Sequence, residues 1–173
     1  MPVISLIAAM SENRAIGLNN ALPWNPIPAD WDNLKQVTKG KKMIMGRKSY
    51  DNPHRIWSDA GNFVITRQLN YAVDEGFVVV NSLEAAIDQC QNDSEVFVLG
   101  GEEIFRLALP MADMIYLTVV HEIFEGDAFF PVFEETDFNI IERKEFKAGQ
   151  NTPYDITILT YQRKDFSFTE KQD

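Results

Sequence analysis

Eight short runs of β-branched and aromatic residues divide the chain, and they constrain its fold more than any other feature. The runs are residues 3–10, 42–46, 62–66, 77–80, 96–101, 114–122, 138–146 and 156–164. Runs of this length, rich in Val, Ile, Phe, Tyr and Thr, are typical of β-strands rather than of helices. The sequence therefore predicts eight strands.

Helical patterns at residues 30–38, 82–91 and 102–109 separate the strands in the first two-thirds of the chain. Ser82 is the expected N-cap of the second helix, and Pro110 is expected to end the third. A further short helix is expected after the second strand, at residues 49–52.

The apolar runs 77–80 and 96–99 predict strands buried on both faces, as in a parallel sheet covered by helices. The last two runs alternate apolar and polar residues, which predicts antiparallel, half-exposed strands. We expect one α/β domain over residues 1–164, with helices on both faces of a mostly parallel eight-stranded sheet that ends in an antiparallel C-terminal strand. Residues 165–173 are polar and are expected to form a loosely packed tail.

The charge of the chain is unevenly distributed. The net charge is −10, from 16 basic and 26 acidic side chains, which argues against nucleic acid and anionic membranes as partners. Six of the nine basic residues in positions 1–67 nevertheless lie between Lys35 and Lys48. Such a cluster is either a solvated helix end or an anion site.

Several other chemistries are excluded by the residue inventory. One cysteine, Cys90, and two histidines without ligand spacing predict neither an internal disulfide nor a metal site. The chain has no G-x-G-x-x-G fingerprint and no correctly spaced P-loop. With no signal-peptide pattern and no apolar run of membrane-spanning length, we expect a cytoplasmic protein.

Cationic and hydroxyl side chains follow two of the predicted strands. Gly46, Arg47, Lys48 and Ser49 come directly after one strand, and the pair Thr66–Arg67 ends another. If these strands are parallel neighbours, both groups lie at the carboxyl-end edge of the sheet, where α/β proteins bind ligands. A phosphate group fits such an edge.

Two further features carry both a structural and a functional interpretation. The glycines of Gly100–Gly101 permit close approach of a ligand to the backbone, or only a tight turn into the helix that Glu102 opens. Asp30 is placed to stabilise the first turn of a helix. It also stands between Trp24 and Trp31 in the sequence, and an apolar environment would raise its pKa and suit it to proton transfer.

The order and spacing of several motifs resemble the dihydrofolate reductase family over about residues 3–162. The matching pieces are ISLIAAM at 4–10, R-x-IG at 14–17, LPWN and PAD within 22–30, MGRKS at 45–49, LGG at 99–101, IYLT at 115–118 and EGDAFFP at 125–131. The resemblance implies that family's fold and a monomeric enzyme of one-carbon metabolism. Its reaction would be the reduction of 7,8-dihydrofolate to 5,6,7,8-tetrahydrofolate by hydride transfer from NADPH.

The resemblance also implies roles for single residues. Asp30 would hold the amidine edge of the pterin and promote its protonation, Trp24 would fix a water beside it, and Thr118 would join the same hydrogen-bond network. Leu22 would lie on a loop that closes over the nicotinamide, and Asp127 would hold that loop through backbone near Gly17. The substrate would also contact Ile7, Ala8, Trp31, Leu34, Lys35, Arg55, Trp57 and Leu99.

For the cofactor, the resemblance implies a larger set of contacts, in which Arg67 is the candidate for the 2′-phosphate of NADPH. The remaining residues of this set are Ala9, Ile16, Gly17, Asn20, Ala21, Gly46, Arg47, Lys48, Ser49, Thr66, Gly100, Gly101, Glu102, Ile104 and Phe105. A cis peptide is expected between the two glycines of the pair.

The chain departs from the family pattern at Ala60. Relatives have an arginine there that binds the α-carboxylate of the folate glutamate, and its loss weakens the case for that contact. Arg55 or Lys35 could compensate from the rim. Two alternatives therefore stay open: a reductase of the same fold acting on a pterin or pyrimidine without the glutamate tail, and a catalytically silent protein that binds NADPH or folate.

Overall fold

The computed structural model describes residues 1–68 and 70–168, and within them the chain forms ten strands and four α-helices. The strands are β1 (Val3–Ser11), β2 (Ala15–Gly17), β3 (Lys42–Gly46), β4 (Asn62–Ile65), β5 (Phe77–Val80), β6 (Glu95–Val98), β7 (Met114–Val120), β8 (Ala128–Phe129), β9 (Phe138–Phe146) and β10 (Ile156–Arg163). The helices are α1 (Pro28–Thr38), α2 (Arg47–Asp51), α3 (Leu83–Asp88) and α4 (Glu102–Ala108).

Eight of these strands form one sheet in the order β5-β4-β3-β6-β1-β7-β10-β9. The pairs from β5 to β7 are all parallel, and β10 joins β7 and β9 in antiparallel pairs. The prediction of a mostly parallel eight-stranded sheet with an antiparallel C-terminal strand is confirmed. Its carboxyl-end edge brings together the loops after β1, β3, β4, β6 and β7.

A second, two-stranded sheet was not predicted. It pairs β2 with β8, which are three and two residues long. Strands this short carry no readable alternation of apolar and polar residues. The resulting β2–β8 ribbon stands beside the carboxyl-end edge of the main sheet, because β2 follows β1 after a tight turn at Ser11–Arg14.

Three predictions of strand burial were wrong. β9 is exposed at seven of its nine residues rather than half-exposed. Residues 77–80 are not buried on both faces, since β5 is an edge strand and the side chain of Val78 is 47% exposed. Conversely, β10 is buried along most of its length rather than half-exposed. It lies between β7 and β9, and its two faces belong to two different apolar clusters, one of which includes Ala29 of α1.

The helices deviate from prediction mainly at their ends. Ser82 caps α3 as expected and accepts a hydrogen bond from the backbone N–H of Ala85, at 3.0 Å. α1 and α2 begin two residues earlier than predicted, and Pro110 lies in a 3₁₀ turn that extends α4 rather than ending it. In the predicted tail, Phe166 is buried against Val3 and Met114 instead of being loose, and residues 169–173 lie outside the described residues.

Candidate active site

A half-buried carboxylate lies where α1 crosses the carboxyl end of β7. Asp30 stands in the first turn of α1, and the hydroxyl of Thr118 in β7 donates to its Oδ1 at 2.6 Å. Burial raises the pKa of the Asp30 carboxyl, and the hydrogen bond from Thr118 opposes that shift with the smaller effect. The two residues that the sequence placed in one network are therefore in direct contact.

Trp24 is anchored behind this carboxylate. Its ring is buried in a cluster with Ile27, Ala29 and Val120, and it meets Phe124 edge-on at 5.7 Å between ring centroids. Leu22, two residues earlier, is 44% exposed. In this segment the side chain of Trp24 is therefore fixed by packing, whereas that of Leu22 is not.

An apolar cluster packs against one face of α1. Its buried members are Ile7, Leu34 and Phe97, with Trp31, Leu99, Ile56 and Tyr116 packed against them. Four of the predicted substrate contacts are thus brought together: Ile7, Trp31, Leu34 and Leu99. Phe97, Ile56 and Tyr116 were missed, although Phe97 lies two residues before Leu99 and so shares its face of the strand.

Three other predicted substrate contacts, Lys35, Arg55 and Trp57, do not belong to this cluster. Lys35 is exposed, and the side chain of Trp57 is 59% exposed. Arg55 is paired with Asp74, donates to the backbone oxygen of Tyr50 at 3.2 Å, and stacks 4.3 Å from the centroid of the Tyr50 ring. Ala60 is exposed and offers no charge here.

The second half of the site is a polar edge formed by β3 and β4. These strands are parallel neighbours in which Gly46 is paired with Ile65, so the residues that follow them, Arg47 and Thr66, lie at the same edge. Lys48 and Arg67 are exposed there, and Arg47 is 3.6 Å from Asp51. A cavity of about 320 Å³ opens beside them, lined by Thr66, Arg67, Gln68, Val79, Val80, Asn81 and Ala85.

Sequence reasoning missed Gln68 and Asn81 in this cavity. Both follow the ends of strands, at residues 65 and 80. Ser49 in α2 is half-buried.

A glycine pair follows β6 and contacts the end of β3. The peptide Gly100–Gly101 is cis, as expected, and the oxygen of Gly100 accepts a hydrogen bond from the backbone N–H of Gly46 at 2.8 Å. A Cβ on Gly101 would meet nothing within 4 Å, so this backbone faces open space. Beneath it, Ile104 and Phe105 are buried in the main core rather than exposed toward a ligand.

Backbone hydrogen bonds fix the shape of the loop that leads to Leu22. Leu18 and Ala21 exchange two hydrogen bonds around Asn19 and Asn20, which both have positive φ, at 52° and 59°. This is the geometry of a tight two-residue turn, in which Asn is favoured. We call residues 18–21 the loop turn.

Asp127 fastens the loop turn to the β2–β8 ribbon. Its backbone N–H donates to the oxygen of Gly17 at 2.9 Å, and its Oδ2 accepts from the backbone N–H of Asn19 at 2.9 Å. On the other side, the side-chain amide of Asn52 donates to the oxygen of Asn20 at 3.0 Å. Ile16 and Gly17 lie in β2, and Ala8 and Ala9 are half-buried on β1.

Within residues 1–68 and 70–168, no cluster of three or more His, Cys, Asp or Glu side chains could hold a metal ion. No helix described there is both long and apolar enough to cross a membrane.

Comparison with known proteins identifies the family. The family model for dihydrofolate reductase matches residues 3–163. The dihydrofolate reductase of Staphylococcus haemolyticus is 38% identical over 160 residues, which cover 92% of this chain and 95% of the relative. That of Bacillus subtilis (strain 168) is 36% identical over 165 residues, or 95% of this chain and 97% of the relative.

Among solved structures, the chain resembles the dihydrofolate reductase from Enterococcus faecalis complexed with NADP(H) and RAB-propyl. The TM-score is 0.82 at 26% sequence identity, with 94% of this chain and 97% of that chain covered.

Proposed function

Because the chain belongs to the dihydrofolate reductase family, we propose that it reduces 7,8-dihydrofolate to 5,6,7,8-tetrahydrofolate with NADPH, as a cytoplasmic monomer in one-carbon metabolism. The observation that carries the proposal is the Asp30–Thr118 pair on α1 and β7, two elements that also contribute to the apolar cluster of Ile7, Leu34 and Phe97. A flat, partly aromatic substrate with hydrogen-bond donors at one end suits a site that combines apolar side chains with one carboxylate.

Asp30 supplies the negative charge that binds the substrate and the proton that the reaction needs. Thr118 occupies Oδ1, and within the described residues no other side chain bonds the Asp30 carboxylate, so Oδ2 is available to a ligand N–H group. A carboxylate that accepts two N–H groups of an amidine edge makes a bidentate, charge-assisted contact. The raised pKa lets this carboxyl hold a proton nearer to neutral pH, which it passes on when the substrate ring nitrogen is protonated.

The residues at the polar edge fit a dinucleotide phosphate. Arg47, Lys48 and Arg67 supply positive charge in an otherwise acidic protein, and Gly101 leaves backbone open to a close neighbour. We assign Arg67, at the cavity with Thr66, to the 2′-phosphate. When bound, NADPH supplies the hydride, and the protein contributes orientation and electrostatics.

The loop turn completes the site. Leu22 is exposed beside a backbone that Asp127 and Asn52 hold from two sides. A loop fixed at these points and free at Leu22 can cover the nicotinamide end and exclude water from it. We assign Ala9, Ile16, Asn20 and Ala21 to the nicotinamide end of the cofactor.

A turnover assay tests this function. Purified protein is expected to oxidise NADPH only when dihydrofolate is present, one molecule per molecule of tetrahydrofolate formed. NADPH oxidation that is absent, or that proceeds without dihydrofolate, would refute the proposal.

A second candidate substrate is a pterin without the glutamate tail. The observation in its favour is the rim, where Ala60 carries no charge and Arg55 is already paired with Asp74. A site that does not bind the tail carboxylate gains no transition-state stabilisation from it. Equal kcat/KM values for dihydrofolate and a tailless dihydropterin would favour this candidate, and a preference of tenfold or more for dihydrofolate would exclude it.

A further inference from the structure

The carboxylate of Glu102 joins two parts of the molecule that the proposed function uses separately. Its Oε1 accepts a hydrogen bond from the backbone N–H of Phe129 in β8, at 2.6 Å. Its Oε2 accepts from Arg106 one turn later in α4, at 3.0 Å. Both oxygens are therefore engaged, and the charge is neutralised away from the polar edge.

On one side of this contact is the glycine pair. Glu102 is the next residue after Gly101, and the oxygen of Gly100 receives the backbone N–H of Gly46 at the end of β3. The position of the Glu102 carboxylate is consequently tied to the backbone that we assign to the cofactor.

On the other side is the path to the loop turn. Phe129 pairs with Ala15 in the β2–β8 ribbon, and Asp127, two residues before Phe129, bonds both Gly17 and Asn19. The ribbon is tightly packed, because a Cβ on Gly126 would come within 2.6 Å of the Cβ of Ala15. A contact that fixes Phe129 therefore also fixes Asp127 and the turn it holds.

We propose that Glu102 is a positioning residue that clamps the β2–β8 ribbon against the glycine pair and so couples the cofactor edge to closure of the loop turn. This role rests on the proposed function only for its kinetic consequences. The alternative, a purely local helix contact, predicts no effect at Asn19. It also gives no reason for the hydrogen bond to leave α4 and end on β8.

Amide hydrogen exchange in the ligand-free protein tests the clamp without any turnover. Glu102→Ala is expected to raise the exchange rate at Phe129 about tenfold, the loss typical of a hydrogen bond to a charged acceptor, and to raise it several-fold at Asn19. Glu102→Gln, which keeps an oxygen acceptor for Phe129, is expected to restore most of the protection. The matched control is Glu103→Ala, which removes the same charge from the same helical turn and is expected to change neither amide.

Kinetic measurements distinguish a positioning role of Glu102 from a general effect on the stability of the protein. Glu102→Ala is expected to speed NADPH dissociation and slow hydride transfer, each by roughly threefold to tenfold, while KM for dihydrofolate stays within twofold of the wild type. Faster exchange at Phe129 with no change at Asn19, or an equal effect of Glu103→Ala, would overturn the clamp. Absence of turnover by the wild type would instead overturn the proposed function and leave the exchange result standing.

Discussion

Replacing Asp30 by Asn is expected to stabilise the folded protein at neutral and alkaline pH while impairing the enzyme. In the fold, burial raises the pKa of Asp30 above the value of about 3.9 that an exposed aspartate shows. Between those two pKa values the folded state binds more protons than the unfolded state, so stability falls as pH rises. This contribution of Asp30 is fully present below about pH 3.9 and is lost as pH rises through the folded pKa.

The size of the effect follows from the contacts of Asp30. Among the described residues, the Asp30 carboxylate accepts one side-chain hydrogen bond, from Thr118. The oxygen of an Asn can accept it equally, so the variant keeps the contact and loses the desolvated charge. We expect Asp30→Asn to gain on the order of 1 kcal/mol at pH 8. For a domain of this size that is about 2 to 4 °C in Tm.

Urea denaturation between pH 4 and pH 8 measures this difference. The matched control is Asp32→Asn, which removes a charge from the exposed side of the same helix, where Asp32 contacts only Asn151 among the described residues. The gain for Asp30→Asn is expected to grow with pH and to shrink toward zero near pH 4. A destabilised Asp30→Asn variant at pH 8, or a gain that does not depend on pH, would refute the reasoning.

Three further changes have defined outcomes. Arg67→Ala is expected to raise KM for NADPH roughly 10- to 100-fold and to leave KM for NADH little changed, since a charge-assisted phosphate contact is lost. Initial rates with both cofactors measure the two KM values. Equal changes in both would contradict the assignment of Arg67 to the 2′-phosphate. Gly100→Ala is expected to destabilise the fold by about 1 to 3 kcal/mol, because its Cβ would lie 2.5 Å from the Phe105 ring at a φ of +98°; unchanged urea stability would be the contrary result. Burial raises the pKa of Cys90 to about 11, so native protein is expected to react with a thiol reagent at pH 8 far more slowly than urea-unfolded protein, and equal rates would contradict that burial.

The sheet could be predicted because each of its long strands carries its own local signal. Runs such as 114–120 and 156–163 have the composition and length of strands wherever they pair. Burial of a strand depends on its neighbours instead, which the runs themselves do not encode. That is why Val78 was placed in the interior although β5 lies at the edge of the sheet.

The contact between Asp30 and Thr118 could also be predicted from the sequence, and the connections around it could not. Asp30 is marked by the helix start and the flanking tryptophans, and Thr118 by its motif. Glu102 and Phe129 are 27 residues apart in the sequence, and their contact ends on a backbone N–H. The residue type at position 129 therefore does not predict it. The same holds for Arg55, whose pairing with Asp74 depends on how two loops fold together.

Single-turnover hydride transfer from NADPH to dihydrofolate, measured across pH 5 to 9 for the wild type and Asp30→Asn, tests the central claim most directly. The wild-type rate is expected to rise as pH falls toward the pKa of Asp30. The variant is expected to be about 10²- to 10⁴-fold slower at pH 7, the usual contribution of a positioned acid, and to lack this titration. A variant that transfers hydride at the wild-type rate, with the same pH profile, would show that Asp30 does not supply the proton.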